Sequence, residues 1–578
     1  MAHEALTRVE DLFFKIITMA VGLSSLPTEL IYHILLFLTP KDICRCAITC
    51  KIVWDAVQNS VHIQYKLELY AQGLNETDST NANSIGVASK MHSLKNLASL
   101  WRSGFHVNTV FQDVVAQDEQ SIQPQFVKCG TLSVWRMNDL LIRDCKKKTK
   151  PPQVWPDHGL FKQSHTHNLM RHSVVVDPLQ DLVVAISSPR ALIWDDAQQD
   201  QLVFWVDFWL ASSQLPHPDS ACTLLECRHT CEPDIYAAHI LCRPAICGDR
   251  IVVLYHTRHR TLWDMFTSNM FIQVIDWKKG HVKRHALWEP GEQLYTSLRL
   301  VDKHTMLIIN SKGHIVLYTL QGLDGSPRRR VTYLLPILRL GHYLSADSAS
   351  ILPYCVVHAS PSFHGTVAHP GLMPSYVPSP ESQIMVLEIL PVSWPVMIVI
   401  DMAMFSEKAM RSETPVEIPW SDWGPKYTWC FPHHPSHRIS VFGSKMAYAL
   451  PRHRTPEPGQ RVEALSPEGH FYIHIWDFNK RLVARSENTH DSDSPKVVIR
   501  KPGWFAQSCF DEDLAFNRPY IASVCAEPFP MRHFDRVFLE QDRLTLTRLP
   551  VGFVDIQVVS PISMEVGLEP ERHREKSL

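Results

Sequence analysis

The sequence predicts a chain of two unlike parts: a small all-α module near the N-terminus, then a large all-β domain. Between residues 22 and 70, apolar residues recur at three- and four-residue steps, the spacing that lines one face of a helix. From about 126 to 560 the period becomes two, in short apolar runs bounded by Asp, Gly, Pro and Asn, as strands and their turns require. The 40 prolines outnumber the 22 glycines, which suits strand edges and loops and argues against a mainly helical protein. At ~150 residues per domain, a 578-residue chain corresponds to about four domains, or fewer if one is a large all-β unit.

In the helical part, Leu30, Ile31, Ile34, Leu35 and Leu38 form a broad apolar stripe on one short helix, and Pro27 suits its first turn. Thr39 can cap a second helix, with Pro40 in the first helical position and Asp42 as the capping-box partner. Ile43, Cys46, Ala47 and Cys50 mark that helix, and Trp54 with Val57 marks a third. A module of about 45 residues encloses a very small core. Its apolar positions exceed what three short helices can hide from one another, so an external partner is expected.

The run Leu26-Pro27-Thr28-Glu29-Leu30-Ile31, then Ile34-Leu35, Phe37-Leu38, Asp42-Ile43 and a distal Trp54, resembles an F-box. The family pattern is Leu-Pro-x-Glu-Leu, an Ile-Leu pair, a Leu, an Asp-Leu and a distal Trp. The resemblance implies that Leu26, Pro27, Leu30, Ile31, Ile34, Leu35 and Leu38 supply core or adaptor contacts, with Asp42 and Trp54 completing the pattern. Leu35 is expected among the residues that face the adaptor. The implied partners are a Skp-type adaptor and, through it, a cullin complex. Two departures stand out: Cys46, Ala47 and Cys50 replace larger aliphatics, which should thin the core, and Ile52 and Val53 replace polar residues, which should widen the apolar surface.

Residues 71–105 read as a linker with an amphipathic helix. Residues 72–88 are polar and low in aromatics, as in an exposed loop. Leu94, Leu97, Ala98 and Trp101 then take helical spacing.

In the all-β part, one kind of strand follows a turn residue: Leu182–Ile186 after Asp181, Arg250–Tyr255 after Asp249, Met306–Ile309 after Thr305, and Tyr520–Val524 after Pro519. A second kind ends in an aromatic and often an acid: Ala191–Asp195, Ile272–Trp277, His314–Tyr318 and Phe471–Asp477. Two of these lead into polar residues expected to form tight turns, Lys278-Lys279-Gly280 and Asn479-Lys480-Arg481. Repeated, such a unit is a blade. Trp194 to Trp277 is 83 residues and Trp277 to Tyr318 is 41. The shorter interval agrees with the ~40–45 residues of a WD-type blade. Longer intervals need insertions, such as Pro353–Pro380 and Pro451–Pro467. This part resembles a degenerate WD-repeat-like β-propeller of six or seven blades; a pair of β-sandwiches is the alternative.

Lys plus Arg totals 57 and Asp plus Glu 59, a net charge of −2. That balance gives no footprint for nucleic acid or a membrane surface. Phe13–Leu23 is too short to span a bilayer and contains Lys15, and Glu4, Glu10 and Asp11 precede it, unlike a signal peptide. Ile384–Ile400 is cut by Glu388, Pro391 and Pro395, so two strands are expected there. The 14 cysteines are expected as reduced, mostly buried thiols, in a protein of the cytoplasm, the nucleus or both.

Cys222, Cys227, Cys231, Cys242 and Cys247 crowd together with no Cys-x-x-Cys, so no zinc site is expected. His433, His434 and His437, and likewise His165, His167 and His172, read as exposed loop histidines; Lys146–Lys150 and Arg328–Arg330 read as solvated charge. No Gly-rich phosphate loop, nucleophile elbow or supported Cys–His arrangement occurs. No catalytic residue, metal or cofactor is therefore expected, and no motif marks the residues that bind a target. The resemblance implies a non-catalytic substrate-recognition subunit of an SCF-type ubiquitin ligase. An F-box scaffold outside ubiquitylation and a propeller enzyme are the alternatives.

Overall fold

The structure is a computed structural model describing residues 26–77, 86–101, 104–116, 122–136, 139–146, 153–156, 173–187, 190–192, 201–230, 235–240, 242–260, 266–287, 297–310, 314–320, 327–336, 354–365, 367–368, 373–390, 395–405, 414–453, 462–488, 498–500, 510, 518–549 and 553–562. The chain divides into two compact units, residues 1–99 and 100–578.

The first unit is helical. Its helices are α1 (Thr28–Phe37), α2 (Pro40–Ala47), α3 (Lys51–Asn59), α4 (Val61–Gln72) and α5 (Val87–Leu100), the last ending at the boundary. Pro27 stands just outside α1 as its cap residue rather than inside the first turn. Thr39 caps α2 as expected: its hydroxyl accepts from the Asp42 N–H at 3.2 Å and donates to the Asp42 carboxylate at 2.6 Å. Cys50 precedes α3 instead of extending α2, because α2 ends at Ala47. The sequence reading missed α4 as a separate helix; Ser60 caps it and Gly73, at φ +66°, closes it in the left-handed conformation. Ile31, Leu35, Ile43, Ala47, Val53, Ala56, Val57 and Ile63 make the core. Lys66 on α4 donates to the carbonyls of Leu36 and Leu38, both at 2.7 Å, satisfying the end of α1.

The expected loop at 72–88 is partly ordered. Gln72 is buried in the last turn of α4, donating to Glu68 at 2.9 Å and to the Leu94 carbonyl at 3.0 Å. Leu74–Glu76 is extended, and residues 78–85 lie outside the described residues.

The second unit is a ring of seven sheets of four to six strands. The main path of each sheet is an antiparallel meander, as a blade requires; in blade 4 an added edge strand, Val416–Ile418, pairs parallel with Arg328–Tyr333. The first strands are Ile122–Lys128 in blade 1, Ser173–Asp177 in blade 2, Ala245–Cys247 in blade 3, Ser297–Leu300 in blade 4, Tyr354–Ala359 in blade 5, Arg438–Phe442 in blade 6 and Arg536–Leu539 in blade 7. In blade 3, Ile235–Ile240 flanks the same second strand, Arg250–Arg260. The first strands of blades 3 to 7 pack against one another in turn, which puts them innermost.

Polar bonds tie each blade to the next. Lys128 pairs with buried Asp177 at 2.7 Å between blades 1 and 2. Gln180 donates to the Gly248 carbonyl at 3.0 Å between blades 2 and 3. Arg250 donates to the Lys303 carbonyl between blades 3 and 4, and Arg299 to the Ser360 carbonyl between blades 4 and 5. The Ser360 hydroxyl accepts from Gly443 N–H between blades 5 and 6. Ser440 accepts from Leu539 N–H at 2.8 Å, joining blade 7, and Glu540 accepts from Gly130 N–H at 2.6 Å, returning to blade 1.

The ring closes through strands from both ends of the unit. Val107–Ala116 pairs antiparallel with Phe553–Pro561 and completes blade 7 as its fourth strand. The all-β part thus begins upstream of residue 126, where the alternation becomes readable; a bulge between Thr109 and Phe111 breaks the pattern earlier. Seven sheets settle the propeller over the sandwiches and fix the blade count at the upper of the two expected values.

The two strands expected in Ile384–Ile400 are Ile384–Leu390 and Val396–Asp401. Lys278-Lys279-Gly280 is a hairpin turn, with Gly280 at φ +68°. Asn479-Lys480-Arg481 is not: Asn479 accepts from Arg481 N–H at 3.0 Å and starts the helix Lys480–Asn488. An Asn before a helix-compatible run reads alike as turn and cap. Of Ala191–Asp195, Ala191 and Leu192 end the strand Arg190–Leu192, and the rest lies outside the described residues.

Candidate interaction surface

On the helical unit, the nine residues of the sequence pattern divide among the core, the start of α2 and the surface. Ile31 and Leu35 are core, and Leu26 and Leu38 pack half-buried against it. Leu35 is only 2% exposed; it sits four residues after Ile31 on the inward face of α1. Asp42 lies in the first turn of α2 and accepts from the Thr39 hydroxyl, which holds its carboxyl below the usual carboxylate range. Ile34 is half-buried. Pro27, Leu30 and Trp54 face outward.

The outward apolar set is wider than the pattern. Leu30 is 49% exposed, Trp54 49%, Ile52 43%, Phe37 89% and Ile48 81%, all outside a core already closed by other residues. Ile52 widens the surface as the sequence suggested. Val53, expected to do the same, is fully buried because the helical rotation from Ile52 turns it inward. Phe37 and Ile48 were missed as surface residues. They follow the last inward positions of α1 and α2, where a helical repeat stops telling inside from outside. Ala47 belongs to the core with Ile43 and Val53, and Cys46 packs half-buried against it.

In the propeller, the His433–His437 run is not an exposed loop. His433 and His437 are each 3% exposed and belong to a buried chain of hydrogen bonds. His358 bonds one oxygen of Glu388, and His433 bonds the other at 2.9 Å. The Tyr448 hydroxyl meets His433 at 3.1 Å and His437 at 2.8 Å, and His437 reaches the Glu463 carbonyl at 2.8 Å. Burial alone would raise the Glu388 carboxyl, but its two histidine partners hold it at about 2. Burial pushes His437 down to about 3. The histidines sit where one blade passes into the next, which explains why the structure encloses a polar sequence.

Cys227 and Cys247 are buried within apolar clusters, and Cys222 and Cys242 are half-buried. Burial raises the thiols of all four. Among the described residues no group of three His, Cys, Asp or Glu could hold a metal ion. Cys231, His165, His167, His172 and Lys147–Lys150 lie outside the described residues. Arg328–Arg330 is a strand rather than a solvated run: Arg329 pairs with Glu417 at 2.9 Å, and Arg330, largely buried, donates to Thr319 at 2.8 Å. Among the described residues, no helix is long and apolar enough to cross a membrane.

Residues 23–55 match the F-box-like family. A search of curated proteins found no match. Solved structures similar to this chain include the AfRom2 CNH domain, at 7% identity and TM-score 0.30, covering 79% of this chain and 98% of that one. The WD40 domain of SCAP from fission yeast is similar at 8% identity and TM-score 0.33, with coverages of 79% and 98%. The N-terminal domain of Nup159 is similar at 9% identity and TM-score 0.29, with coverages of 80% and 96%. The seven-sheet ring, not these likenesses, carries the fold. The chain therefore combines an F-box-like domain at residues 23–55 with a seven-bladed β-propeller.

Proposed function

We propose that this chain is the substrate-recognition subunit of an SCF-type ubiquitin ligase. In this reading the module at residues 22–70 docks a Skp-type adaptor and, through it, the cullin complex, and the propeller receives a target protein. The chain itself is non-catalytic and works in the cytoplasm, the nucleus or both. The observation that carries the reading is the outward apolar set Leu30, Phe37, Ile48, Ile52 and Trp54 on a helical unit whose core is complete without them. A standard protein interface buries roughly 800 Å² per partner and draws most of its energy from a few such anchors. The mechanism is proximity: a target held beside a charged ubiquitin carrier meets it at high effective concentration.

The test is affinity purification of the full chain, wild type and Leu30→Asp/Phe37→Asp. The wild type should bring down adaptor and cullin. The variant should stay folded and lose both, by about a hundredfold for each buried carboxylate at ~3 kcal/mol. Adaptor without cullin, and no target ubiquitylation, would favour a scaffold role instead. A wild type that binds no adaptor refutes the reading.

A further inference from the structure

The first and second strands of blade 5, Tyr354–Ala359 and Ile384–Leu390, are joined by a long connection. Blades 3 and 6 make the same connection with tight turns at Gly248 (φ +62°) and Gly443 (φ +60°). In blade 5 the 24 positions from Ser360 to Gln383 stand in place of that tight turn, and they include a short strand, Tyr376–Pro378.

Its opening stretch crosses the ring. Ser360 is fully buried; its carbonyl accepts from Arg299 of blade 4 and its hydroxyl accepts from Gly443 of blade 6. The Ser362 hydroxyl lies 3.8 Å from Cys247 Sγ, at the end of the first strand of blade 3. The Phe363 ring meets Phe442 of blade 6 edge-on, centroids 5.9 Å apart, and packs against a cluster that includes Leu539 of blade 7. A Cβ on Gly365 would lie 2.8 Å from the Gln180 side chain, in the corresponding turn of blade 2. The Ala368 N–H then donates to the Leu179 carbonyl of that turn at 2.7 Å.

Every one of these partners lies on the innermost strands or on the turns that follow them. Apart from Arg299, which sits within its strand, all lie at the strand ends or in the turns. The specific contacts belong to blades 2, 3, 4 and 6, so the segment spans the same end of the ring from side to side. Its contacts are specific: two hydrogen bonds to Ser360, a ring pair, a glycine where no side chain fits, and a backbone bond at the far side.

We propose that Ser360–Gly365 is a built-in plug over the mouth of the propeller channel formed by the ends of the first strands, tied at its far side by Ala368. Access to the ring is then from the opposite mouth, where the first strands begin, as at Arg438 and Arg536. The inference goes beyond the ligase reading and does not depend on it.

Cys247 is a native reporter, since it is 1% exposed and lies beneath Ser362. A cysteine placed at exposed Arg536, the start of the first strand of blade 7, reports on the other mouth. Full-length Arg536→Cys protein would be labelled with a polyethylene-glycol maleimide and mapped by peptide mass spectrometry. Position 536 should label at least tenfold faster than Cys247. Adding Ser362→Gly and Phe363→Ala should raise Cys247 labelling at least tenfold and leave 536 unchanged. Equal labelling of the two positions, or a folded plug variant with Cys247 still shielded, overturns the proposal. If that variant does not fold, hydrogen exchange of the wild type decides: the Ala368 amide should exchange at least tenfold more slowly than that of exposed Gly365, and equal rates overturn the proposal.

Discussion

Phe111→Ala should open the propeller at its seam. Phe111 lies on the strand Val107–Ala116, which reaches blade 7 from the far end of the domain. Its ring is 2% exposed and packs with Val554, Ile556 and Val558 of blade 7 and with Val127, Leu132, Val134 and Leu141 of blade 1. Truncating a buried Phe to Ala removes about 3–5 kcal/mol. The Arg143 guanidinium stands 5.3 Å from the ring centre and pairs with Asp113 of the same strand at 2.8 Å. Losing that cation–π contact adds about 0.5–1 kcal/mol. The expected loss of roughly 4 kcal/mol is a large part of a domain's net stability. Thermal unfolding followed by circular dichroism would measure it. Val110, in the bulge of the same strand and 46% exposed, is the control; Val110→Ala should change stability by no more than about 0.5 kcal/mol. A chain beginning at residue 119 should melt far below one beginning at residue 94, because the former leaves the Phe553–Pro561 edge unpaired. If Phe111→Ala and Val110→Ala melt alike, or the chain from 119 melts like the one from 94, closure by this strand does not hold the ring.

Leu35→Asp should unfold the helical unit rather than strip one binding contact, since it puts a carboxylate into the core at a cost of about 3 kcal/mol or more. Limited proteolysis of the full chain should show new cleavage within residues 26–77; a variant as resistant as the wild type would place Leu35 on the surface. His437 predicts acid sensitivity. Its folded pKa of about 3 lies below the ordinary 6.5, so the unfolded chain takes up the proton first, and stability falls as pH drops from 6.5 towards 3. At ~1.4 kcal/mol per pH unit, the loss is roughly 3 kcal/mol by pH 4. Glu388 acts lower: its contribution is complete above 4.5 and disappears towards 2. His437→Gln should therefore flatten the dependence of melting temperature on pH between 6.5 and 4.5, and an unchanged slope would show that burial of His437 does not set it.

Much of this architecture was legible because the hydrophobic period changes from helical spacing to alternation. Thr39-Pro40-x-Asp42 was readable as a helix start because capping is local chemistry, and the structure makes that bond. What could not be read was long-range. Nothing near Val107 announces a partner at Phe553. Nothing in Glu388 foretells that His358 and His433 will bond its two oxygens, since the three come together only when blade 5 is built. In the helical unit the stripe was visible but its orientation was not. Ile31 and Leu35 point in and Leu30 points out, and only the packing of α3 and α4 decides which edge of the stripe is covered.

The seam also constrains how the protein is made. Val107–Ala116 leaves the ribosome early, yet its partner begins at Phe553, 437 residues after Ala116. At ~5–20 residues per second, that is roughly 20–90 s of synthesis during which the strand has no native mate. Through that interval the nascent chain carries an unpaired apolar edge, with Phe111 and Val115 uncovered by blade 7. The helical unit has no such wait, because its core residues all fall between Ile31 and Ile63. The helical unit is therefore complete long before the ring can close, and a chaperone that shelters the 107–116 edge would act in the gap between the two.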